Sequence, residues 1–538
     1  MPERAETPPK KPPRERPRWV GGAWLAAAAL LTLGLVLAAR VLGPSDLAQN
    51  LDQSKTMALT ADIVVNGHWA LPSDSMGETT HKPPLMNWIA APLVAAGVWT
   101  EWAFKLPSIL GALATFIATG ALGARLLRAA SDELSVSART LAGASPIALG
   151  FAASLVWIAS PSAVKHAYFC RPDMLFTACV AWGWYAAVRA GEGGPSRAHW
   201  ALLMWVLTGA ALLAKGPMAL ILPAYALLAP LVIRDMRALP WHAWLWGPAI
   251  AIAMFCLWLV PAWLANPEHV GGSLIGFEFL SRLEGGATGS GPLELVKKSP
   301  EIPGWFVERL VPWSIPALLA LIVIPPTRWR RHPLAPAILW VLLVMLVTAL
   351  IRYRGASYLL PAYPGAAVLA AFVLLHRRSP ITPRTLAAAG VVVALLITGR
   401  EVFLSRAART GAGDRAWAFA REARRLVGDD PVAFVRTGDD PIPTMMRRVR
   451  PAPPTPEELA EAVWVVLPIA PDSDGQGPEP ALRSDRIQQT RAGSGSARSA
   501  PYALALYHRS AWPEAWNPPR EPTNDWGAGT PAPIPSSD

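Results

Sequence analysis

The sequence predicts a mainly α-helical, polytopic membrane protein with a small α/β domain at its C-terminal end. Three observations lead there. Of the 538 residues, 52% are hydrophobic and only 16% charged, and the mean hydropathy of +0.29 is too apolar for a soluble chain of this length. Apolar runs of roughly 18 residues or more, enough for a bilayer crossing, recur through the first three quarters of the chain. The arginines between these runs fall into every second loop, as the positive-inside bias of membrane proteins requires.

The first run is "WLAAAALLTLGLVLAARVLG" (Trp24–Gly43), preceded by the basic, proline-rich "KKPPRERPR". It is longer than a signal-peptide core and is read as a retained anchor. Further spans are expected at about 107–128, 141–160, 174–190, 199–214, 217–233, 244–265, 306–326, 334–351, 357–376 and 383–399, which makes about eleven. With the N-terminal arm in the cytoplasm, the cytoplasmic loops are 125–140, 189–198, 234–243, 327–333 and 377–384. Each is basic: Arg125, Arg128 and Arg139; Arg189 and Arg197; Arg234 and Arg237; Arg328, Arg330 and Arg331; Arg377, Arg378 and Arg384. Tryptophans near span ends, such as Trp19, Trp88, Trp263, Trp305 and Trp313, suit interfacial anchoring.

The net charge of +11 is therefore topology and attraction to anionic lipid. Its dispersal among spans argues against nucleic-acid binding. Cys170, Cys179 and Cys256 lack metal-ligand spacing and read as packing residues. Beyond Gly399 the composition changes. "RAWAFAREARRL" reads as an amphipathic helix, and "DPVAFVRTGDD", "AVWVVLP" and "YALALYH" as short strands. Residues 470–500 and 512–538 are rich in Pro, Gly, Ser and Asp and read as flexible.

Some charges oppose the topology rule by falling at the outer ends of spans: Asp52, Lys55, Asp62, Lys82, Lys165, His166, Arg171, Asp173, Lys215, Glu278, Arg282, Arg352 and Arg354. Either ion pairs or an anionic ligand accounts for them. Asp52 opens a segment in which Met57, Ala61, Val64 and Val65 recur at helical spacing, so a surface helix is expected there, with Asp52 as its cap or as a functional carboxylate. Asp173 follows Pro172 in "HAYFCRPDML" and opens the next span, again as cap or as functional acid. In "TTHKPPL" (Thr79–Leu85) two prolines pin Lys82. Lys215 sits in "AKGP", where Gly216 and Pro217 make a tight turn. Lysines at such places either snorkel to the headgroups or hold an anion, and arginines such as Arg352 and Arg354 suit bidentate phosphate contact.

In order along the chain stand Asp52, "NGHWALP" (Asn66–Pro72), "HKPPL", "EWAFKLPSILGAL" (Glu101–Leu113), "RPDML", "AKGP", "FEFLSRL" (Phe277–Leu283), "PW" (Pro312–Trp313) and "SYLLPAYP" (Ser357–Pro364). This ordered set, over roughly 50–365, resembles the lipid-dependent membrane glycosyltransferases of the aminoarabinose-transferase and protein-mannosyltransferase kind, which have the GT-C fold. The resemblance implies transfer of a sugar, with inversion, from a polyprenyl-phosphate donor to a lipid, glycan or protein acceptor at the outer membrane face. It makes Asp52 and Asp173 the catalytic acids. It places Lys82, Lys215, Arg352, Arg354, His81, Glu278, Arg282 and Tyr358 at the carrier phosphate or substrate. Gln53 stands where that family usually has Glu, His81 where it often has Glu, and Phe279 where some members have a metal-binding His or Asn. No cofactor is implied with certainty, and a divalent metal is disfavoured by Phe279.

The division that follows is a cytoplasmic arm (1–19), a transmembrane catalytic domain (20–399) with a first outer loop at about 44–106, an extracytoplasmic α/β domain (400–511) and a tail (512–538). The protein would be a multi-pass protein of the cell (inner) membrane. Two other readings share the many spans: a transporter or flippase of a lipid-linked substrate, and an inactive lipid-binding relative. The charges cluster on one face and no repeat is found, which favours the enzyme over a transporter.

Overall fold

The computed structural model describes residues 20–47, 51–75, 77–272, 300–351, 355–404, 411–434, 442–448, 458, 461–469, 480–483, 503–508 and 510. The first anchor is helix α1 (Val20–Leu42). The expected surface helix follows as α2 (Leu51–Asn66), then the short α3 (Leu85–Ala95) and the long α4 (Glu101–Ala129). Helices α5 (Val136–Ala144), α6 (Pro146–Ile158) and α7 (Pro161–His166) lead into two antiparallel neighbours, α8 (Asp173–Glu192) and α9 (Arg197–Lys215). After α10 (Ile221–Val232), α11 (Trp241–Ala265) and α12 (Pro267–His269) the chain continues as α13 (Glu301–Leu310), α14 (Ser314–Val323), α15 (Pro326–Trp329), α16 (Ala335–Leu350), α17 (Tyr363–Leu375) and α18 (Pro383–Phe403).

By length and composition, six described helices can cross a bilayer: Gly22–Leu42, Glu101–Ala129, Arg197–Lys215, Trp241–Ala265, Ala356–Leu375 and Pro383–Phe403. The pair α13 and α14 makes a seventh if it is one span bent by 115°. Of the other expected spans, 174–190 is the unbroken 20-residue α8, which is less apolar than the six; the rest are short or interrupted, and proline stands at three of the breaks. The 141–160 run is split before Pro146, the 217–233 run opens as a 3-10 turn at Pro217–Leu220, and Pro312 lies in the bend between α13 and α14. The 16-residue α16 spans only about 24 Å, short of the roughly 30 Å hydrocarbon core.

Helix α17 lies in the middle of the bundle and is almost wholly buried, whereas α11 turns Leu257 and Leu264 outward. Trp184 and Trp340 stack at 5.0 Å between ring centroids, with Tyr225 edge-on to both. Elsewhere small residues let helices touch. A Cβ on Gly150 of α6 would lie 2.4 Å from the Gly120 carbonyl oxygen of α4, the close approach by which membrane helices pack without a hydrophobic driving force.

The five basic loops come together at one end. His332 meets Glu133 at 3.2 Å, Arg377 N–H donates to the Glu133 carbonyl, Arg234 N–H to Arg330 and Arg237 N–H to Gly191, and Arg125 pairs with Glu192. The opposite ends of α4, α8 and α9 begin or finish at Glu101, Asp173 and Lys215.

Over that second end sits the C-terminal unit. The strongly amphipathic α19 (Ala412–Val427) backs a four-stranded sheet of β1 (Val432–Phe434), β2 (Trp464–Ile469), β3 (Leu482–Arg483) and β4 (Ala503–His508), with α20 (Ile442–Met445) between β1 and β2. The strand order is β1-β2-β4-β3, with β1 parallel to β2 and β4 antiparallel to both its neighbours. Ala416, Phe419, Ala420 and Ala423 of α19 share a core with Val466, Leu504 and Leu506 of the sheet and with Met57 and Ala61 of α2. The helix expected to lie on the membrane surface thus has the central part of its apolar face covered by protein, and only Val65 near its end is open.

Candidate active site

The loop between α2 and α3, expected outside from the sequence, is built around buried acids. Asp62 is fully buried and accepts from Asn66 Nδ2 at 2.6 Å and from the Ser73 amide at 2.8 Å. Lys55 pairs with Glu78 at 2.7 Å and Asp74 at 3.5 Å. Asp62 and Lys55, which stood out in the sequence as outer-face charges, therefore fold the loop. That loop delivers Lys82. The Lys82 amide donates to Thr80 Oγ1, which in turn donates to the Lys82 carbonyl at 3.0 Å, and His269 Nε2 sits 3.0 Å from the Thr80 carbonyl. Pro83 and Pro84 then stiffen the entry to α3.

A second loop, 167–172, joins α7 to α8. Ser108 of α4 holds it, donating to the Phe169 carbonyl at 2.5 Å and also reaching that of Arg171 at 3.2 Å. Asp173 is the first residue of α8, where the helix dipole favours a carboxylate, and its side chain is 2% exposed. Lys215, the last residue of α9, donates to Asp173 Oδ1 at 2.5 Å. Gly216 lets the chain turn away at once, with φ +80. Arg171 bridges the two acids, with Nε 3.2 Å from Asp173 Oδ2 and a terminal nitrogen 3.2 Å from Asp52 Oδ2. The Asp52 carboxylate is half exposed. Tyr358, in the 3-10 turn Ala356–Ala362, lies with its ring 4.2 Å from the Lys215 ammonium, within the range of a cation–π contact.

Lys82 joins this group. Its side chain is exposed. Desolvation, and then the charge of Arg171, pull its ammonium pKa below the usual lysine range. Asp52 and Asp173 oppose that shift, and Lys215 adds to it. The structure thus brings together Asp52, Asp173, Lys82, Lys215 and Tyr358 from five separate stretches of sequence. It adds Arg171 as the residue that couples the two acids. Arg171 begins the "RPDML" motif, and its position among the outer-face charges was the available signal. His166 lies nearby, buried, its pKa brought down to about 4 by burial against the pull of Asp173, and its Nδ1 is 2.9 Å from the Ser162 carbonyl.

The His81 ring lies 5.4 Å from that of His269, and its charge helps to lower the Glu78 pKa. Glu278, Arg282, Arg352 and Arg354 lie outside the described residues. Among the described residues, no group of three or more His, Cys, Asp or Glu is placed to hold one metal ion.

Gln53 belongs to a second network behind the first. It is completely buried. Its amide nitrogen donates to Asp46 Oδ1 at 3.2 Å, and its oxygen accepts the Cys170 amide at 2.8 Å. Lys105, also fully buried, lies 2.5 Å from Asp46 and 2.6 Å from Glu101, with Arg40 2.8 Å from Asp46. Burial works to raise the Asp46 pKa, but Lys105 and Arg40 more than offset it and bring it to about 2. The Cys170 thiol is pushed up to about 12 by burial, in keeping with an unreactive packing residue.

No family model matches the chain. Its structure is similar to those of ArnT from Cupriavidus metallidurans bound to undecaprenyl phosphate and in the apo state. The TM-scores are 0.62 and 0.61, each with 16% sequence identity, over 90% of this chain and 97% of the other. At that identity the likeness establishes the fold, which is the GT-C fold expected from the motifs. A curated ATP-dependent dethiobiotin synthetase BioD from Streptomyces coelicolor is 41% identical over 81 residues, 15% of this chain. The chain spans about a third of that relative's length, and the sequence carries no phosphate-binding glycine loop of the Walker type.

Proposed function

We propose that the chain is a membrane glycosyltransferase that moves a sugar from a polyprenyl-phosphate donor to a lipid, glycan or protein acceptor at the outer face of the membrane. The observation that carries this reading is the convergence of Lys82, Lys215 and Arg171 with one exposed and one buried carboxylate at one end of the bundle. The ArnT likeness supports it, because one of those structures is bound to undecaprenyl phosphate.

In this reading the carrier phosphate rests against Lys82 and Lys215. An acceptor hydroxyl attacks the sugar C1, the C1–O bond to phosphate breaks, and the phosphate leaves with the bonding electrons. Single displacement inverts the anomeric centre. Asp52 is the carboxylate with access to substrate, so it orients the hydroxyl and takes its proton. Asp173 is too enclosed to reach an acceptor; it holds Lys215 and Arg171 in place. Arg171 in turn holds Asp52. Positive charge fixed in advance around the leaving group supplies most of the rate. The chemistry as written involves no metal.

The test is transfer of label from a panel of radiolabelled polyprenyl-phosphate sugars by the full chain in proteoliposomes. Wild type should transfer from at least one donor. Asp52→Asn should insert and fold normally and lose on the order of 100-fold or more, the usual contribution of a positioned base. Asn caps a helix about as well as Asp, so wild-type transfer by this variant would remove Asp52 from the mechanism.

A further inference from the structure

A cavity of about 870 Å³ opens between the C-terminal unit and the start of α4, within the size range of small-molecule sites. It is distinct from the Lys82–Asp173 cluster, of which it contains no member. Three indoles, Trp99, Trp102 and Trp417, contribute to its wall. Five arginines do as well: Arg421, Arg424 and Arg425 from α19, and Arg447 and Arg448 from the turn after α20. The three on α19 are spaced i, i+3 and i+4, so they share one helix face, and all three are exposed.

The acids of the cavity do not balance this charge. Glu101 is occupied by Lys105 at 2.6 Å and by the Trp417 indole at 3.3 Å. Asp414 accepts the Ser45 amide at 3.1 Å. Asp414 keeps its charge on accepting a neutral amide, so Asp414 and Asp429 together stand against five guanidinium groups in the lining. Arg425 has Glu422 at 3.2 Å, and Arg448 donates to the Gly428 carbonyl at 2.7 Å. Arg421 and Arg424 have no carboxylate within ion-pair distance among the described residues. Arg447, at φ +60, caps the C-terminal end of α20, its amide donating to the Thr444 carbonyl and the Arg448 amide to that of Pro443, and its guanidinium reaches the Gly97 carbonyl at 3.4 Å. Its guanidinium lies 5.3 Å from the Trp99 ring centroid. Desolvation and the like charge of Arg424 both lower its pKa. The arginines therefore crowd one wall of the cavity in excess of its acids, an arrangement that a bound anion would balance.

We infer that this cavity binds an anionic carbohydrate: a sugar whose rings lie on the indole faces and whose carboxylate or phosphate group is gripped by Arg424, Arg447 and Arg421. Sugar rings offer apolar C–H faces to aromatic planes, and guanidinium groups match carboxylate and phosphate in bidentate fashion. The site shares Glu101 with the Glu101–Lys105–Asp46 network, at the same end of the bundle as the proposed transfer chemistry. Binding here needs no donor and no catalysis, so it stands or falls separately from the transferase reading.

The test is equilibrium binding to the purified full chain in nanodiscs. The probes are digalacturonic acid and glucose 6-phosphate, with cellobiose as the neutral sugar and inorganic phosphate as the bare anion. At least one of the two anionic sugars should bind ten or more times tighter than both controls, and which one does so identifies the charged group. The double variant R421Q/R424Q lies on the exposed face of a helix and keeps good helix formers; it should elute as wild type does and weaken that binding at least tenfold. Asp52→Asn should bind as wild type does. The inference is overturned if neither anionic sugar binds. It is also overturned if phosphate alone binds as tightly, or if R421Q/R424Q leaves the affinity unchanged.

Discussion

Asp173 and Lys215 illustrate how a buried pair constrains its own mutants. Both side chains are nearly dry, and they meet at 2.5 Å. Asp173→Asn removes the charge that both Lys215 and Arg171 contact and should cost about 3–5 kcal/mol, whereas Asp173→Leu combined with Lys215→Met should recover part of that. Chemical denaturation of the purified variants measures this. The double variant should be stable yet inactive, which separates the fold from the chemistry. Lys82 makes a different prediction. Its depressed pKa means that the folded chain binds fewer protons than the unfolded chain between that value and 10.5. Its charge is therefore a stability cost at neutral pH, and that cost is removed as pH rises through the folded pKa. A carrier phosphate needs the charged form, so carrier affinity should fall over the same rise, and Lys82→Arg should move that fall to higher pH. Gln53 was legible in the sequence only as a departure from a family pattern. In the structure its two amide atoms serve opposite partners, a carboxylate and an N–H, which an amide satisfies at every pH and a carboxyl group only when protonated. Gln53→Glu sets a carboxylate against Asp46. A buried acid so placed has a raised pKa, so the variant should be less stable at pH 8 than at pH 5 and should transfer less.

At the scale of elements, the site depends on one close approach. A Cβ on Gly111 of α4 would stand 2.8 Å from backbone atoms of Met174 and Leu175, so α8 can begin where it does only because that residue is glycine. Gly111→Val should push the first turn of α8 outward, loosen the Asp173–Lys215 contact and lower transfer at least tenfold. Gly143→Ala, with nothing within 4 Å of its Cβ, should leave transfer unchanged. Assaying both variants separates a general helix effect from this contact. Apolar periodicity gave the positions of the helices well, because lipid and protein core reward the same residues. It did not show where they break, since a proline inside a long apolar run can kink, split or merely start a helix. The strands "VAF", "WVVLPI" and "ALALYH" were readable from their β-branched and aromatic content. Their order was not, because the parallel β1–β2 pairing depends on contacts far apart in sequence. The burial of α2 against α3 and the C-terminal unit was hidden for the same reason: an amphipathic face says that something apolar covers it, not whether that is lipid or protein.

For the whole molecule the question is which end faces outward. Helices α4, α8 and α9 each run between the same two ends, one carrying Glu101, Asp173 and Lys215, the other Arg128, Glu192 and Arg197. Every basic loop gathers at the second end, through contacts such as Arg330 Nε to the Val232 carbonyl at 3.2 Å and Glu133 to His332. Basic residues flanking spans are retained in the cytoplasm, so the second end should be cytoplasmic and the acid–lysine cluster extracytoplasmic. An outer-face acceptor could reach Asp52 in no other orientation. Single cysteines at positions 82 and 330, in a chain whose Cys170, Cys179 and Cys256 are replaced, test this with a membrane-impermeant thiol reagent on intact cells. The cysteine at 82 should label in intact cells, and the one at 330 only after the membrane is opened. The reverse pattern would put Lys82, Lys215 and both acids on the cytoplasmic side. It would leave their charges contradicting the bias that the arginine loops obey, and transfer at the outer face would have no site to happen in.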